Sequence, residues 1–176
     1  MAYFNHAIRG DQLDLAHLEP LPLTFYVRNL GRDLTIDVKF SNHCFTVDFD
    51  ATIHDETLLI MDHKRRRAYD LERHTLSRNL PGMIASLPAA AVYLTPSDRN
   101  YVYLANFQAA DKQLYPMYFH LRRAHPEAPR NLSMFVESAY PVMDRNEVMK
   151  GTTKISFAVL CAKVYKGEPV KPLARR

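Results

Sequence analysis

Two neighbouring segments of the sequence carry side chains that could do chemistry together. The first alternates with a period of two, which places Tyr118, His120 and Arg122 on one face of a strand. The second carries Ser138 and Tyr140 on one face near its end. If the two strands are neighbours, these side chains share one surface of a sheet.

A surface of this composition could cleave RNA without a metal ion. A base removes the proton of the ribose 2′-hydroxyl, an arginine stabilises the added negative charge of the phosphorane, and an acid protonates the leaving 5′-oxygen. A tyrosine can hold a base by stacking. The alternative is an ordinary solvated face, because antiparallel sheets usually carry polar and aromatic side chains on the side that meets water.

A compact basic run follows His63 and consists of Lys64, Arg65, Arg66 and Arg67. Clustered cations favour a phosphate backbone, so these four are candidate nucleic-acid-binding residues. A charge run is also typical of a solvated surface, and both interpretations stay open. The whole chain has 23 basic and 19 acidic residues, a balance that favours an anionic partner only weakly.

Most familiar chemistry is excluded by the absence of its motif. The 176 residues contain no GxxxxGK[ST], GxGxxG, GxSxG, HExxH or CxxC. The eight histidines are scattered without ligand spacing, so we predict no metal and no cofactor. Cys44 stands beside His43 and could be a nucleophile, but we favour inert, reduced and buried thiols for both Cys44 and Cys161.

The surrounding segments predict an α+β fold with an antiparallel β-meander packed by helices. Period-two alternation or an apolar run predicts strands in the first part of the chain over residues 24–28, 34–40, 45–49 and 58–61. Four later strands are predicted over residues 91–95, 101–107, 114–122 and 132–140. Their short connections exclude parallel crossovers and therefore predict a four-stranded meander.

Between the two groups of strands the apolar spacing lengthens to that of helices. We expect two short helices, the first capped by Asp70 and the second capped by Asn79, with Pro81 near its first turn. The last element, residues 153–166, fits either a strand or a helix. We favour a helix that ends at Gly167.

These elements divide the chain into two parts of one compact unit. We expect a β-rich region with a hairpin over residues 1–62, followed by helix, four-stranded meander and C-terminal helix over residues 63–176. No run of 18 apolar residues and no signal-peptide core occurs, so we expect a cytoplasmic protein that does not meet a membrane.

One stretch resembles a known superfamily. The segment Leu80-Pro81-Gly82-Met83-Ile84 leads into Ala91-Val92-Tyr93, and a late strand ends in Val136-Glu137-Ser138-Ala139-Tyr140. This layout, over about residues 69–140, is similar to the barnase/EndoU/colicin/RelE-like nuclease superfamily, in particular to its phage and mobile-element branches. Its members place helices before a four-stranded antiparallel sheet and cut RNA without a metal.

The resemblance implies that Arg122, Ser138 and Tyr140 line a cleft, with His74 or His120 as proton carriers. The expected function is then that of a toxin-like, metal-independent ribonuclease. One alternative is a non-catalytic accessory or inhibitor protein of a phage or mobile element, acting through its basic surface or a sheet face. Another is a small-molecule pocket suggested by the many Tyr, Phe and Met residues.

The expected partners are RNA or a protein. A homodimer would cover the edges of a regular hairpin over residues 34–49, because unpaired strand edges favour association.

Overall fold

The computed structural model describes residues 2–95, 101–108 and 114–170, with the backbone alone over residues 102–108. Two connections of the predicted meander, residues 96–100 and 109–113, lie outside the described residues.

Strands make up most of the regular structure. In chain order they are β1 (Ala7–Ile8), β2 (Asp11–Gln12), β3 (Leu21–Val27), β4 (Arg32–Phe40), β5 (Thr46–Asp48), β6 (Leu59–Asp62), β7 (Arg65–Tyr69), β8 (Ala91–Leu94), β9 (Tyr101–Gln108), β10 (Leu114–Arg123), β11 (Leu132–Ala139) and β12 (Thr153–Ser156). The α-helices are α1 (Leu71–Ser77), α2 (Leu80–Ser86), α3 (Arg145–Met149) and α4 (Phe157–Lys166). Short 3₁₀ turns cover Ala16–Leu18, Arg28–Leu30, Asn42–Cys44, Glu56–Leu58 and Leu87–Ala89.

The main sheet contains the predicted meander and extends it on both sides. Its seven strands lie in the order β12-β8-β9-β10-β11-β4-β3 among the described residues. Strands β8 to β11 pair antiparallel in sequence order, which confirms the meander and the α+β class. Strand β4 pairs parallel with β11, so strands from residues 1–62 and 63–176 share one sheet.

One face of this sheet forms the core. Along β4 the alternating residues Leu34, Ile36, Val38 and Phe40 are fully buried, as period-two patterning requires. Helix α4 packs on this face and buries Phe157 and its neighbours against β10 and β11. The opposite face of β10 and β11 is therefore left to carry polar side chains.

The hairpin predicted over residues 34–49 is wrong in its second half. At the 3₁₀ turn Asn42–Cys44, the Ser41 amide donates to the Val136 carbonyl and the Ser41 hydroxyl accepts from the His43 amide. This turn directs the chain away, and β5 joins a separate sheet of order β5-β7-β6. Strand β4 is covered by β3 and β11, so it has no free edge to support the dimer argument.

The predicted caps are confirmed for α1 and α4, whereas the Asn79 side chain at the start of α2 makes no capping hydrogen bond and donates to the Leu76 carbonyl instead. The Asp70 carboxylate accepts from the Arg73 amide at the start of α1, and Pro81 lies in the first turn of α2. Gly167, with φ of 73°, ends α4 in the left-handed conformation that favours glycine. None of the helices within the described residues has the length and apolar character needed to cross a bilayer.

The helix predicted over residues 153–166 is confirmed only in its second part. Residues 153–156 form β12 instead of helix, because alternating Thr153 and Ile155 complete the edge of the sheet beside β8. The helix then begins at Phe157.

Candidate functional site

A cleft lies where the solvent-facing side of β11 meets the hairpin formed by β6 and β7. Its main pocket, of about 650 Å³, is lined by Ser41, His43, Asp62, His63, Lys64, Arg65, Phe135, Glu137 and Ser138. A side pocket of about 250 Å³ over β10 is lined by His120, Arg122, Ser133, Phe135 and Glu137. Because Phe135 and Glu137 line both pockets, the two form one surface, which we call the histidine cleft.

A β-bulge in β11 sets which side chains reach the cleft. Phe119 pairs with Val136, whereas Tyr118 pairs with Ser138, so Glu137 is an extra residue on β11. The bulge lets two consecutive polar residues, Glu137 and Ser138, line the main pocket.

The first histidine of the cleft is His120 on β10. Its Nε2 atom lies 2.5 Å from Oε1 of Glu137, and the two side chains are 19% and 37% exposed. A carboxylate on one ring nitrogen orients an imidazole and offsets its charge when it is protonated. His120 is thus a positioned acid–base group in the side pocket.

The second histidine is His43, in the 3₁₀ turn between β4 and β5. Its Nε2 atom lies 3.3 Å from Oδ2 of Asp62, at the end of β6, and both side chains are partly exposed. Burial lowers the pKa of His43, the Arg67 cation lowers it further, and Asp62 opposes both effects. The ring is therefore neutral at pH 7 and able to accept a proton.

Three cations face the same cleft. Lys64 in the β6–β7 turn and Arg65 at the start of β7 line the main pocket, and Arg122 lines the side pocket. His63 in this turn has φ of 52°, a conformation that residues other than glycine seldom adopt. Lys64 and Arg65 therefore line the same pocket as the His43–Asp62 pair and Glu137.

The other half of the basic run is engaged elsewhere. Arg66 pairs with Glu56 and lies over the Phe49 ring at 4.3 Å from its centroid. The Arg67 side chain is only 5% exposed and donates to the Thr46 hydroxyl and to Asp48. Sequence spacing does not separate these residues from Lys64 and Arg65, because the partners of Arg66 and Arg67 lie on β5 and on the segment before β6, which only the folded chain brings beside β7.

Two predicted site residues do not line the cleft. His74 is buried on α1, where its Nδ1 accepts from the Tyr69 hydroxyl at 2.9 Å and its Nε2 donates to the Asp14 carbonyl at 2.9 Å. Tyr140 stacks on Tyr118 with ring centroids 5.5 Å apart. Of the predicted catalytic set, the structure brings His120, Arg122 and Ser138 to the cleft.

Arg73 supports the wall beside Tyr140. Its guanidinium lies 5.1 Å from the centroid of the Tyr140 ring and donates to the backbone carbonyls of His43 and Thr46. Arg73 thus links α1 to the turn that carries His43.

Sequence reasoning missed His43, Asp62 and Glu137. The consecutive polar pair Glu137-Ser138 inside an alternating strand is a signal for a bulge. No local signal joins His43 to Asp62, because their contact depends on the second sheet.

The two cysteines lie outside the histidine cleft. Cys44 and Cys161 are buried and unbridged, as predicted, and burial raises the pKa of the Cys44 thiol to about 12. Within the described residues, no group of three or more His, Cys, Asp or Glu side chains could hold a metal ion.

Comparison with known proteins identifies related chains. The model of the YjaZ family matches residues 4–165. The protein YjaZ of Escherichia coli strain K12 is 28% identical over 144 residues, which are 78% of this chain and 78% of the relative. No solved structure matches.

These findings contradict the resemblance to the barnase/EndoU/colicin/RelE-like nucleases. The family match spans nearly the whole chain, whereas that resemblance covered about residues 69–140 and rested on short segments. Its Leu-Pro step is a helix start with proline in the first turn, and its Val-Tyr step is an ordinary strand. The meander is also only part of a seven-stranded sheet.

Proposed function

The chain belongs to the YjaZ family, and we propose that it is a metal-independent enzyme that cleaves RNA in the histidine cleft. One observation carries the proposal: two histidines, each paired with a carboxylate, line one cleft together with cations. Acid–base cleavage of a phosphodiester needs two proton carriers and a cation. The proposal rests on this chain's own residues.

Substrate binding is assigned to the cations of the cleft. Lys64 and Arg65 would neutralise phosphates in the main pocket, and Arg122 would stabilise the extra negative charge of the phosphorane. The guanidinium suits this role because its planar fork of donors matches phosphate oxygens.

The two histidines take opposite roles. His43 is the base because burial lowers its pKa and leaves the ring neutral. His120 is the acid because Glu137 offsets the charge of the protonated ring. The 2′-oxygen attacks phosphorus as its proton passes to His43, the bond to the 5′-oxygen breaks, and His120 protonates that oxygen. The products are a 2′,3′-cyclic phosphate and a 5′-hydroxyl.

The test is cleavage of labelled single-stranded RNA by the purified protein in excess EDTA. Wild type should give products ending in 2′,3′-cyclic phosphate, and His120→Asn should be slower by roughly a hundredfold or more, since general acid–base catalysis contributes that much. His125→Asn is the matched control, because His125 is 73% exposed on the β10–β11 connection and does not line the cleft.

Two results would overturn the proposal. Equal loss of rate in His125→Asn and His120→Asn would show that the activity does not belong to the cleft. Folded wild type that binds RNA without cutting it would favour the alternative of a non-catalytic binding protein.

A further inference from the structure

Phe135 places an exposed aromatic ring on the solvent-facing side of β11. The residue is 39% exposed, although its strand is covered by neighbours on both sides. It pairs with His120 across the β10–β11 register. Its ring lines the same cleft as the two histidine–carboxylate pairs, so it can contact a ligand that is bound there.

Phe135 also lies where the two pockets of the cleft meet. It lines both pockets, with Lys64 and Arg65 in the main pocket and Arg122 in the side pocket. Cations on either side of an aromatic ring match the repeating unit of a nucleic acid strand, in which a base stands between two phosphates. Stacking platforms of this kind recur in proteins that bind single strands.

We propose that Phe135 is the stacking platform for one unpaired base, with the flanking phosphates held by Arg122 on one side and by Lys64 and Arg65 on the other. This inference rests on the proposed function and names its substrate class: a single strand with a phosphate on each side of the stacked base. Duplex RNA is excluded because its bases are already stacked on one another. A nucleoside monophosphate is a poor ligand because its single phosphate can contact either Arg122 or the pair Lys64 and Arg65, but not both.

The test uses 2′-deoxy oligonucleotides, which bind but cannot be cut by this mechanism because they lack the attacking hydroxyl. Fluorescence anisotropy with labelled oligothymidylate of four nucleotides should give binding that Phe135→Leu weakens about tenfold, as loss of one base stack does. Phe135→Tyr keeps a ring and should bind within twofold of wild type. Tyr26→Leu is the matched control, an exposed aromatic (62% exposed) on the edge strand β3.

Two further measurements separate stacking from charge. In a tetramer with abasic sites, the difference between wild type and Phe135→Leu should disappear. Arg122→Gln should weaken binding to both ligands and lower the log–log salt slope by about one. A Phe135→Leu protein with wild-type melting temperature and wild-type affinity would overturn the inference.

The same experiments separate this inference from the proposed function. Ring-dependent binding of the deoxy tetramer without cleavage of RNA would defeat the proposed function alone. Cleavage of RNA with no dependence on Phe135, in rate or affinity, would defeat the stacking platform alone.

Discussion

The molecule has two pairs of histidines, and they differ in what each ring faces. In the histidine cleft, His43 and His120 are partly exposed and each faces a carboxylate. Beneath the N-terminal segment, His17 and His74 lie with ring centroids 5.6 Å apart and face neutral groups instead. The same residue type faces carboxylates in one region and neutral hydroxyl and carbonyl groups in the other.

In the second pair, a neutral hydrogen-bond partner determines which ring nitrogen of His17 carries the proton. The Ser77 hydroxyl donates to the His74 carbonyl, so its oxygen accepts from Nε2 of His17 at 2.7 Å. Nδ1 of His17 then lies buried without a partner among the described residues. Burial lowers the pKa of His17 to about 4, and the nearby His74 and Arg78 add to the effect, with Asp14 opposing it. A histidine is therefore a candidate for catalysis because of its partner, and His74 lacks such a partner.

The largest effect should come from replacing His43 in the histidine cleft, compared with replacing His17 in the other pair. His43→Asn should lower the rate of RNA cleavage by roughly a hundredfold, because it removes the base. His17→Asn should stay within twofold when both variants are assayed at a temperature where circular dichroism shows them folded. Equal losses in the two variants would remove the distinction between the pairs.

The second effect concerns stability and acts in the opposite region. Because the pKa of His17 is about 4 in the folded protein and near 6.5 when unfolded, the unfolded chain binds the extra proton first as pH falls. His17 does not lower the free energy of unfolding at pH values above its pKa in the unfolded chain. On acidification from pH 7 to pH 5, the free energy of unfolding should fall by about 1–2 kcal/mol because of His17. Urea unfolding at both pH values measures the loss, and His17→Phe should reduce its size.

A third, smaller effect is a shift of the pH–rate profile. Burial lowers the pKa of His43, so the acid limb of kcat/KM should lie below the usual range for histidine. Asp62→Asn should move that limb lower still, because it removes the negative charge that opposes the shift. A limb that moves upward in Asp62→Asn would mean that another group is the base.

The smallest effect should separate the cations of the basic run. Arg65→Gln should weaken RNA binding several-fold and lower the salt slope by about one, since Arg65 lines the cleft. Arg66→Gln is the matched control and should bind like wild type, because Arg66 is already paired with Glu56. Filter binding at two salt concentrations distinguishes the two outcomes.

Local patterns predicted the local structure well. Alternation located β4 and the meander, the Asp70 cap placed the start of α1, and the period of two placed His120 and Arg122 on one surface. These features depend on contacts between residues close in sequence. The resemblance to nucleases failed because short segments of helix start and strand occur in many folds.

Long-range pairings could not be predicted in the same way. The parallel pairing of β4 with β11 joins residues nearly a hundred positions apart, and no sequence pattern marks it. The contact of His43 with Asp62 needs the small sheet to be in place, and the burial of Arg67 depends on the same sheet. The contacts that the small sheet contributes to the candidate site could therefore be identified only from the folded structure.

Helix α1 has contacts on two sides, and these contacts couple its local unfolding to that of its neighbours. His74 binds the N-terminal segment through the Asp14 carbonyl, while Arg73 holds the carbonyls of His43 and Thr46. The Asp70 amide also donates to the Phe45 carbonyl at 3.1 Å. A seven-residue helix tied at both sides has little stability of its own, so its opening releases both neighbours. In native-state hydrogen exchange, the amides of α1 and of the turn that carries His43 should lose protection together, as one cooperative unit.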